Sequence, residues 1–172
     1  MRIYPKVVPA MAREIVKALM GPGHIEVESE NVAAAEDDLV AIVREYQRQE
    51  DSMNRQAKDL VVKRGWPSHK FAEARSMVVQ AKRFPMGDDG IDYMIEQMME
   101  FMLITNNIEE VYAQDNVLRK IIVTIMRRFG KMDEEVDTEA RGRLKHLQEG
   151  TRDWEVQYQK VSDQVRRNKG LI

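Results

Sequence analysis

The chain has 172 residues, of which 43% are hydrophobic, so it is long enough to bury a core without a disulfide or a bound metal. It has no cysteine, which excludes disulfides, zinc knuckles, iron–sulfur clusters and thiolate catalysis. Its 27 Lys and Arg nearly balance 29 Asp and Glu, and a pI of about 6.0 argues against a uniformly basic nucleic-acid-binding domain.

The first nine residues do not have the apolar core of a signal peptide. No apolar run in the chain reaches the ~20 residues that span a bilayer. We therefore expect a cytoplasmic protein without a membrane partner.

Helical periodicity dominates the first half of the chain. A first helix is predicted over residues 9–20, because proline suits the first turn and a Gly-Pro-Gly segment follows. A second is predicted over residues 36–64, and a third over residues 68–84 with Ser68 as its N-cap. The proline- and glycine-containing segment 84–90 marks the boundary to the second half.

The second half predicts helices over residues 91–105, about 115–129, and 132–168. In the last of these, apolar residues recur every three or four positions and keep their phase across Gly150. This pattern predicts one unbroken helix of ~55 Å, at 1.5 Å per residue. We expect it to pack antiparallel along the helix of residues 36–64, as in a coiled coil.

A shift of 83 residues places residues 11–84 over residues 94–167 without a gap. Apolar positions then coincide, for example Ile15 with Met98 and Phe71 with Trp154. We predict two pseudo-repeated halves, residues 1–86 and 90–172, within one interlocked structural unit. The expected fold is an all-α, elongated helical bundle with long antiparallel coiled-coil-like helices and a small helical lobe at each end.

Residues suited to catalysis or metal binding are sparse. The three histidines have none of the spacings of helical metal sites, and most paired carboxylates lie near predicted helix starts, where the helix dipole favours them. No nucleophile elbow or phosphate-binding glycine loop is present. We expect no catalytic residue, no metal ligand and no cofactor, and hence no enzyme.

A methionine-rich helix, with Met94, Met98, Met99 and Met102, could offer a groove to partner helices or fill a core. Because Leu103 and Ile104 are also apolar, we expect this helix to be buried nearly all round.

The loop of residues 106–116 is longer than a bundle connection needs. It interleaves polar residues with Ile108, Val111 and Tyr112. Two interpretations remain open. These apolar side chains plug the end of the bundle, or the loop recognises an unidentified protein partner through four residues, Asn107, Glu109, Glu110 and Tyr112.

A different hypothesis assigns a nucleic-acid partner to basic helix faces in the second half. The backbone phosphates would be contacted by Arg127, Arg128, Lys131, Arg141, Arg143 and Lys145. This alternative requires folding to gather those charges on one face, and we favour it less than a protein partner. The chain itself is expected to be a monomer or a homodimer.

Six segments carry a family resemblance: residues 1–6, 12–19, 90–93, 106–115, 147–155 and 166–171. They resemble a bacterial family known only as a domain of unknown function, number 507. The resemblance implies a helical cytoplasmic protein of bacteria, with no activity, cofactor or catalytic residue to carry over. From the loop of residues 106–116 and the exposed faces of the long helices, we predict a non-enzymatic interaction or scaffolding protein.

Overall fold

The structure, a computed structural model, describes residues 3–172; Met1 and Arg2, within the first resembling segment, lie outside the described residues. The predicted all-α bundle is confirmed. Its helices are α1 Val8–Met20, α2 Val32–Lys63, α3 Phe71–Lys82, α4 Asp88–Met102, α5 Asp115–Arg143 and α6 Arg152–Asn168. Two 3-10 turns, Pro5–Val7 and Ser68–Lys70, and two strands, β1 Ile25–Glu26 and β2 Glu110–Val111, complete the described elements.

The main core lies among four helices. α1 packs against α2 and α5, and α4 also packs against α2 and α5, so α1 and α4 occupy opposite corners. Spacings of three and four place the predicted apolar face of α1 in this core, and its four residues are all at most 1% exposed: Met11, Ile15, Val16 and Leu19. The first helix and its buried face were therefore predictable from periodicity.

The prediction of one helix over residues 132–168 is wrong. α5 continues through the predicted break near Gly130 and ends at Arg143; α6 begins at Arg152 and packs back on α5. Gly150 adopts φ +84°, and Thr151 Oγ1 accepts a hydrogen bond from the Trp154 backbone nitrogen at 3.2 Å. The apolar spacing continues across Gly150 because α5 and α6 face each other and each buries an apolar stripe. The point at which the backbone reverses is set by the glycine and the N-cap threonine.

The expected pairing of the two longest helices is also wrong. α2 and α5 lie at opposite corners of the core, and each pairs with the shorter helix that follows it. Ser68 does not cap α3: it begins a 3-10 turn, and α3 starts at Phe71 without a side-chain cap. The molecule therefore carries two helical hairpins, α2–α3 and α5–α6.

The order helix, strand, long helix, shorter helix occurs twice along the chain. Ile15 and Met98 lie in the corresponding helices α1 and α4, and Phe71 and Trp154 lie in α3 and α6. The strands pair antiparallel, Ile25 with Val111 and Glu26 with Glu110. The predicted repeat of the two halves stays a prediction, because a repeated order of elements and one short strand pair do not superpose the halves.

The N-terminal segment joins the first half to the second hairpin. Tyr4 lies in a smaller core with Val136, Val165 and Leu171. Its hydroxyl donates to Asp133 Oδ1 at 2.7 Å and accepts from Arg166 Nε at 3.2 Å. Burial, followed by the bond to Asp133, raises the pKa of the Tyr4 phenol. This anchor and the shared main core make the two halves depend on each other.

Candidate functional site

The loop of residues 106–116 lies at one end of the bundle, where both halves reverse direction. It contains β2, which pairs with β1 of the first half. We define the loop end as residues 21–38 and 103–118. It comprises both connecting loops, both strands and the first turns of α2 and α5.

Asn107 ties the loop to α2. Its Nδ2 donates to Asp38 Oδ2 at 2.8 Å, and Thr105 Oγ1 donates to the same oxygen at 2.8 Å. The backbone nitrogen of Asn107 also donates to Thr105 Oγ1 at 3.2 Å. Asn107 is half-buried. The three hydrogen bonds attach the start of the loop to α2.

Tyr112 follows β2 and turns its ring outward. The side chain is 63% exposed, and its hydroxyl donates to Glu26 Oε2 of β1 at 2.5 Å. That bond is the main cause of a raised pKa for the Tyr112 phenol. Its backbone nitrogen donates to the His24 carbonyl at 2.9 Å, so the exposed ring stands on a fixed backbone.

Glu109 and Glu110 precede Tyr112 in the loop, and both are exposed. The Glu109 backbone nitrogen donates to the Glu26 carbonyl at 2.9 Å, which leaves its carboxylate free to face solvent. The structure thus brings the four predicted partner-binding residues to one end of the molecule. Three of them are exposed, and Asn107 is the anchor.

The plug interpretation holds for part of the loop, and recognition of a partner by the loop stays a prediction. Ile108 is only 9% exposed, and Val111 is half-buried against the main core. These two residues close the end of the bundle, as a plug would. Tyr112 is not part of that core; its hydroxyl bonds to Glu26 of β1, while its ring is exposed.

Two exposed residues that the periodicity placed in the core adjoin this loop. Leu103 is 70% exposed and Ile104 is 74% exposed, because α4 ends at Met102 and both residues lie in the following turn. The expectation that this helix is buried nearly all round is therefore wrong: Leu103 and Ile104 are exposed, and so are Asp92, Glu96 and Glu100 on the outer face of α4. Burial is confirmed for Met94, Met98 and Met102. Asparagine at 106 and 107 was the available signal for an earlier helix end.

The loop end carries acidic side chains and no Lys or Arg. Its nine acidic residues are Glu26, Glu28, Glu30, Glu36, Asp37, Asp38, Glu109, Glu110 and Asp115. Seven of the nine are exposed; Glu36 and Asp38 are half-buried. A chain with a net charge of -2 therefore presents a strongly negative surface beside three exposed apolar side chains.

The six basic residues of the nucleic-acid hypothesis are dispersed. Arg127, Lys131 and Arg141 share a face of α5, whereas Arg128 and Arg143 project elsewhere at 100° per residue, and Lys145 lies beyond the helix. Carboxylates neutralise three of the six: Arg128 pairs with Glu14, Arg141 with Asp137 and Glu149, and Arg143 with Glu139. The structure does not gather these charges on one face.

Two properties of the described residues complete the site. Within residues 3–172, no three His, Asp or Glu side chains lie close enough together to hold a metal ion. In the same residues, none of the helices combines the length and the apolar character needed to cross a membrane.

Comparison with known proteins identifies the family. No curated protein matches the chain. A family described as a protein of unknown function, DUF507, matches residues 1–171 and so covers nearly the whole sequence, including both hairpins and the loop end. The resemblance found in the six segments is confirmed, and the chain belongs to the DUF507 family.

Proposed function

We propose that this protein is a non-enzymatic interaction protein that binds a protein partner through its loop end. The observation that carries the proposal is the exposure of three large apolar side chains within ten residues: Leu103 at 70%, Ile104 at 74% and Tyr112 at 63%. Single exposed apolar residues are common, but a group of them beside polar residues marks contact surfaces. Tyrosine is also enriched among the residues that dominate binding energy.

The charge of the loop end defines the partner. The loop end contributes seven exposed carboxylates and no Lys or Arg, and Arg13 of α1 pairs with Glu36 at its edge at 3.6 Å. Complementary charge accelerates encounter and rejects like-charged partners. The proposed partner is therefore a protein with a basic surface that contains apolar side chains.

The loop end is also preorganised. The strand pair and the bonds of Asn107 and Thr105 to Asp38 fix its backbone before any partner binds. A fixed surface loses less conformational entropy on association than a flexible loop. This rigidity supports a binding role for the exposed side chains.

Tyr112→Ala tests the proposal. The ring is mostly exposed, so the variant should unfold within about 1 kcal/mol of wild type. Affinity capture from nuclease-treated lysate of the native cells should lose the proteins that wild type retains. Tyr112→Phe keeps the ring and removes only the bond to Glu26, so it should retain more of the partner than the alanine variant.

A stable Tyr112→Ala protein that captures the same partners would contradict a role for Tyr112. A loss of several kcal/mol would instead identify the ring as part of the core, as for buried aromatic truncations at ~3–5 kcal/mol. The proposal includes the cytoplasm of a bacterium as the location. Cell fractionation with an antibody against the protein tests that part.

A further inference from the structure

The α2–α3 hairpin has a charge opposite to that of the loop end. Residues 55–83, here called the basic hairpin, contain eight Lys and Arg but only two acidic residues, Asp59 and Glu73. The whole chain has slightly more acids than bases, so this excess is local. A scan of charge in windows of about 30 residues reveals this excess, whereas the charge of the whole chain does not.

Most cations of the basic hairpin have no carboxylate partner. Lys70 pairs with Glu73 at 2.5 Å, and Arg75 pairs with Glu50 at 3.0 Å. The other six are exposed and form no ion pair within residues 3–172: Arg55, Lys58, Lys63, Arg64, Lys82 and Arg83. This arrangement differs from α5, where carboxylates neutralise Arg128, Arg141 and Arg143.

The basic hairpin extends beyond the main core. Its buried residues are Ala57 and Ala74, both 0% exposed, and these small side chains let α2 and α3 approach closely. α3 packs mainly on α2. The six cations therefore lie along a two-helix rod, and spacings of three and four put Arg55, Lys58 and the exposed Val62 on one face of α2.

An aromatic ring stands among cations at the tip of this rod. Trp66 lies in the turn between the helices, with the Arg64 guanidinium 4.8 Å and the Lys70 ammonium 5.9 Å from its ring centroid. The ring is half-buried. Proteins that bind single-stranded nucleic acid combine a basic track for the backbone with aromatic side chains on which bases stack.

We propose that the basic hairpin binds single-stranded nucleic acid, with its six exposed cations on the phosphates and Trp66 stacked on a base. Cations spread along the rod fit a linear polyanion better than a bilayer surface. The exposed large apolar residues of the hairpin are Val62 and Met77, and two such residues are too few for insertion into lipid. This site is independent of the loop end and of the six residues predicted on and after α5.

The test measures binding of the full chain to labelled 20-nucleotide RNA and DNA single strands of mixed sequence by fluorescence anisotropy. The matched variants each remove one Arg and two Lys that are exposed. Arg55→Gln/Lys58→Gln/Lys63→Gln changes the hairpin, and Arg127→Gln/Lys131→Gln/Lys145→Gln is the control on and after α5. The hairpin variant should bind at least ~10-fold more weakly at low salt and reduce the salt slope by about 2, at ~0.7 per phosphate contact. The control should change affinity less than about twofold.

Trp66 supplies a second measurement that does not depend on the charge variants. The chain has two tryptophans, so Trp154→Phe leaves Trp66 as the only indole. Its fluorescence should be quenched by the single strand and less by a duplex of the same sequence. Trp66→Ala should weaken binding by ~5- to 150-fold, the equivalent of one stacked base, while Trp66→Phe should retain most affinity.

Four results would overturn the proposal or its stacking contact. Equal losses in the two charge variants would mean that net charge alone drives binding, and a loss confined to the control would move the site to α5. Wild type that leaves both oligonucleotides unbound but sediments with anionic phosphatidylglycerol vesicles would identify a membrane surface. Unchanged Trp66 fluorescence during saturating strand binding would remove the stacking contact.

Discussion

At Gly90 the fold leaves no room for a side chain. Gly90 is buried in the first turn of α4, and an added Cβ would overlap the Tyr46 hydroxyl oxygen and lie 2.8 Å from Tyr46 Cζ. Tyr46 cannot move freely, because its hydroxyl donates to the Pro85 carbonyl at 2.9 Å and its ring stacks on Phe84. The sequence shows a glycine after two aspartates but gives no sign of this contact from α2.

We predict that Gly90→Ala destabilises the protein by ~1–3 kcal/mol, the range for overpacking of a filled core. Urea unfolding measures the loss. Tyr46→Phe removes the overlapping oxygen, so the double variant should lose less than the sum of the single variants. Gly142→Ala is the control: nothing lies within 4 Å of its added Cβ, and alanine in a helix should stabilise by up to ~1 kcal/mol. Additive losses in the double variant would contradict the contact.

Tyr46 also predicts a pH dependence. Burial, followed by the charge of Glu50, raises the pKa of Tyr46 from 10.0 to about 12. The unfolded chain loses this proton first, so the stabilisation is complete below pH ~10 and declines as the pH approaches ~12. Partial solvent contact should limit the loss to ~1–2 kcal/mol. In urea unfolding, the free energy of unfolding of wild type should exceed that of Tyr46→Phe by less as the pH rises across this interval. A difference that stays constant with pH would contradict the raised pKa of Tyr46.

At the scale of elements, the reversal between α5 and α6 shows what periodicity can and cannot predict. The apolar stripes of both helices were visible, and so was Gly150. A glycine in a helical pattern fits either a tolerated defect or a left-handed turn, and the stripe favoured the first. The decisive feature was Thr151, which follows the glycine directly and whose hydroxyl caps α6.

We predict that Thr151→Ala destabilises the protein by about 1 kcal/mol, because the Trp154 backbone nitrogen loses its acceptor. Thr151→Ser keeps the oxygen and should remain within about 0.5 kcal/mol of wild type. Ser68→Ala is the matched change in the first half and should cost less, since Ser68 caps no helix. Chemical denaturation of the three variants decides; equal losses at both positions would contradict the cap.

The candidate surfaces, too, could be predicted only in part from the sequence. The loop of residues 106–116 was identifiable from its length and mixed polarity, and Tyr112 is indeed exposed. Leu103 and Ile104 were not, because a helix end cannot be placed to one turn from apolar spacing alone. The basic hairpin could have been found from charge, and the pairs of Arg141 with Asp137 and of Arg143 with Glu139 from their i,i+4 spacing. The pair of Arg128 with Glu14 could not, because it joins α5 to α1.

At the scale of the whole molecule, the two halves share one core. α1 packs against α5 of the other half, α4 packs against α2, and Tyr4 bonds to Asp133. The all-α class and the main boundaries at residues 21–23 and 84–90 followed from the sequence. The arrangement of helices did not, because an apolar stripe shows that a face is buried but not which helix covers it.

We predict that residues 1–86 and 90–172, produced separately, lack cooperative unfolding as monomers, because each exposes half of the core. Mixed in equal amounts, they should form a one-to-one complex with helical content near that of the whole chain. Circular dichroism and analytical ultracentrifugation measure both properties. A monomeric fragment that unfolds cooperatively would contradict the interlocked core.

The most direct test of the proposed function is capture with Leu103→Ser/Ile104→Ser. Both side chains are exposed, so the variant should fold as wild type does. Val62→Ser is the control, since Val62 is 79% exposed on the opposite, basic hairpin. After nuclease treatment, wild type and the control should retain the same basic protein and the double variant should lose it. Retention of that protein by a folded double variant would contradict the assignment of the loop end as the binding surface.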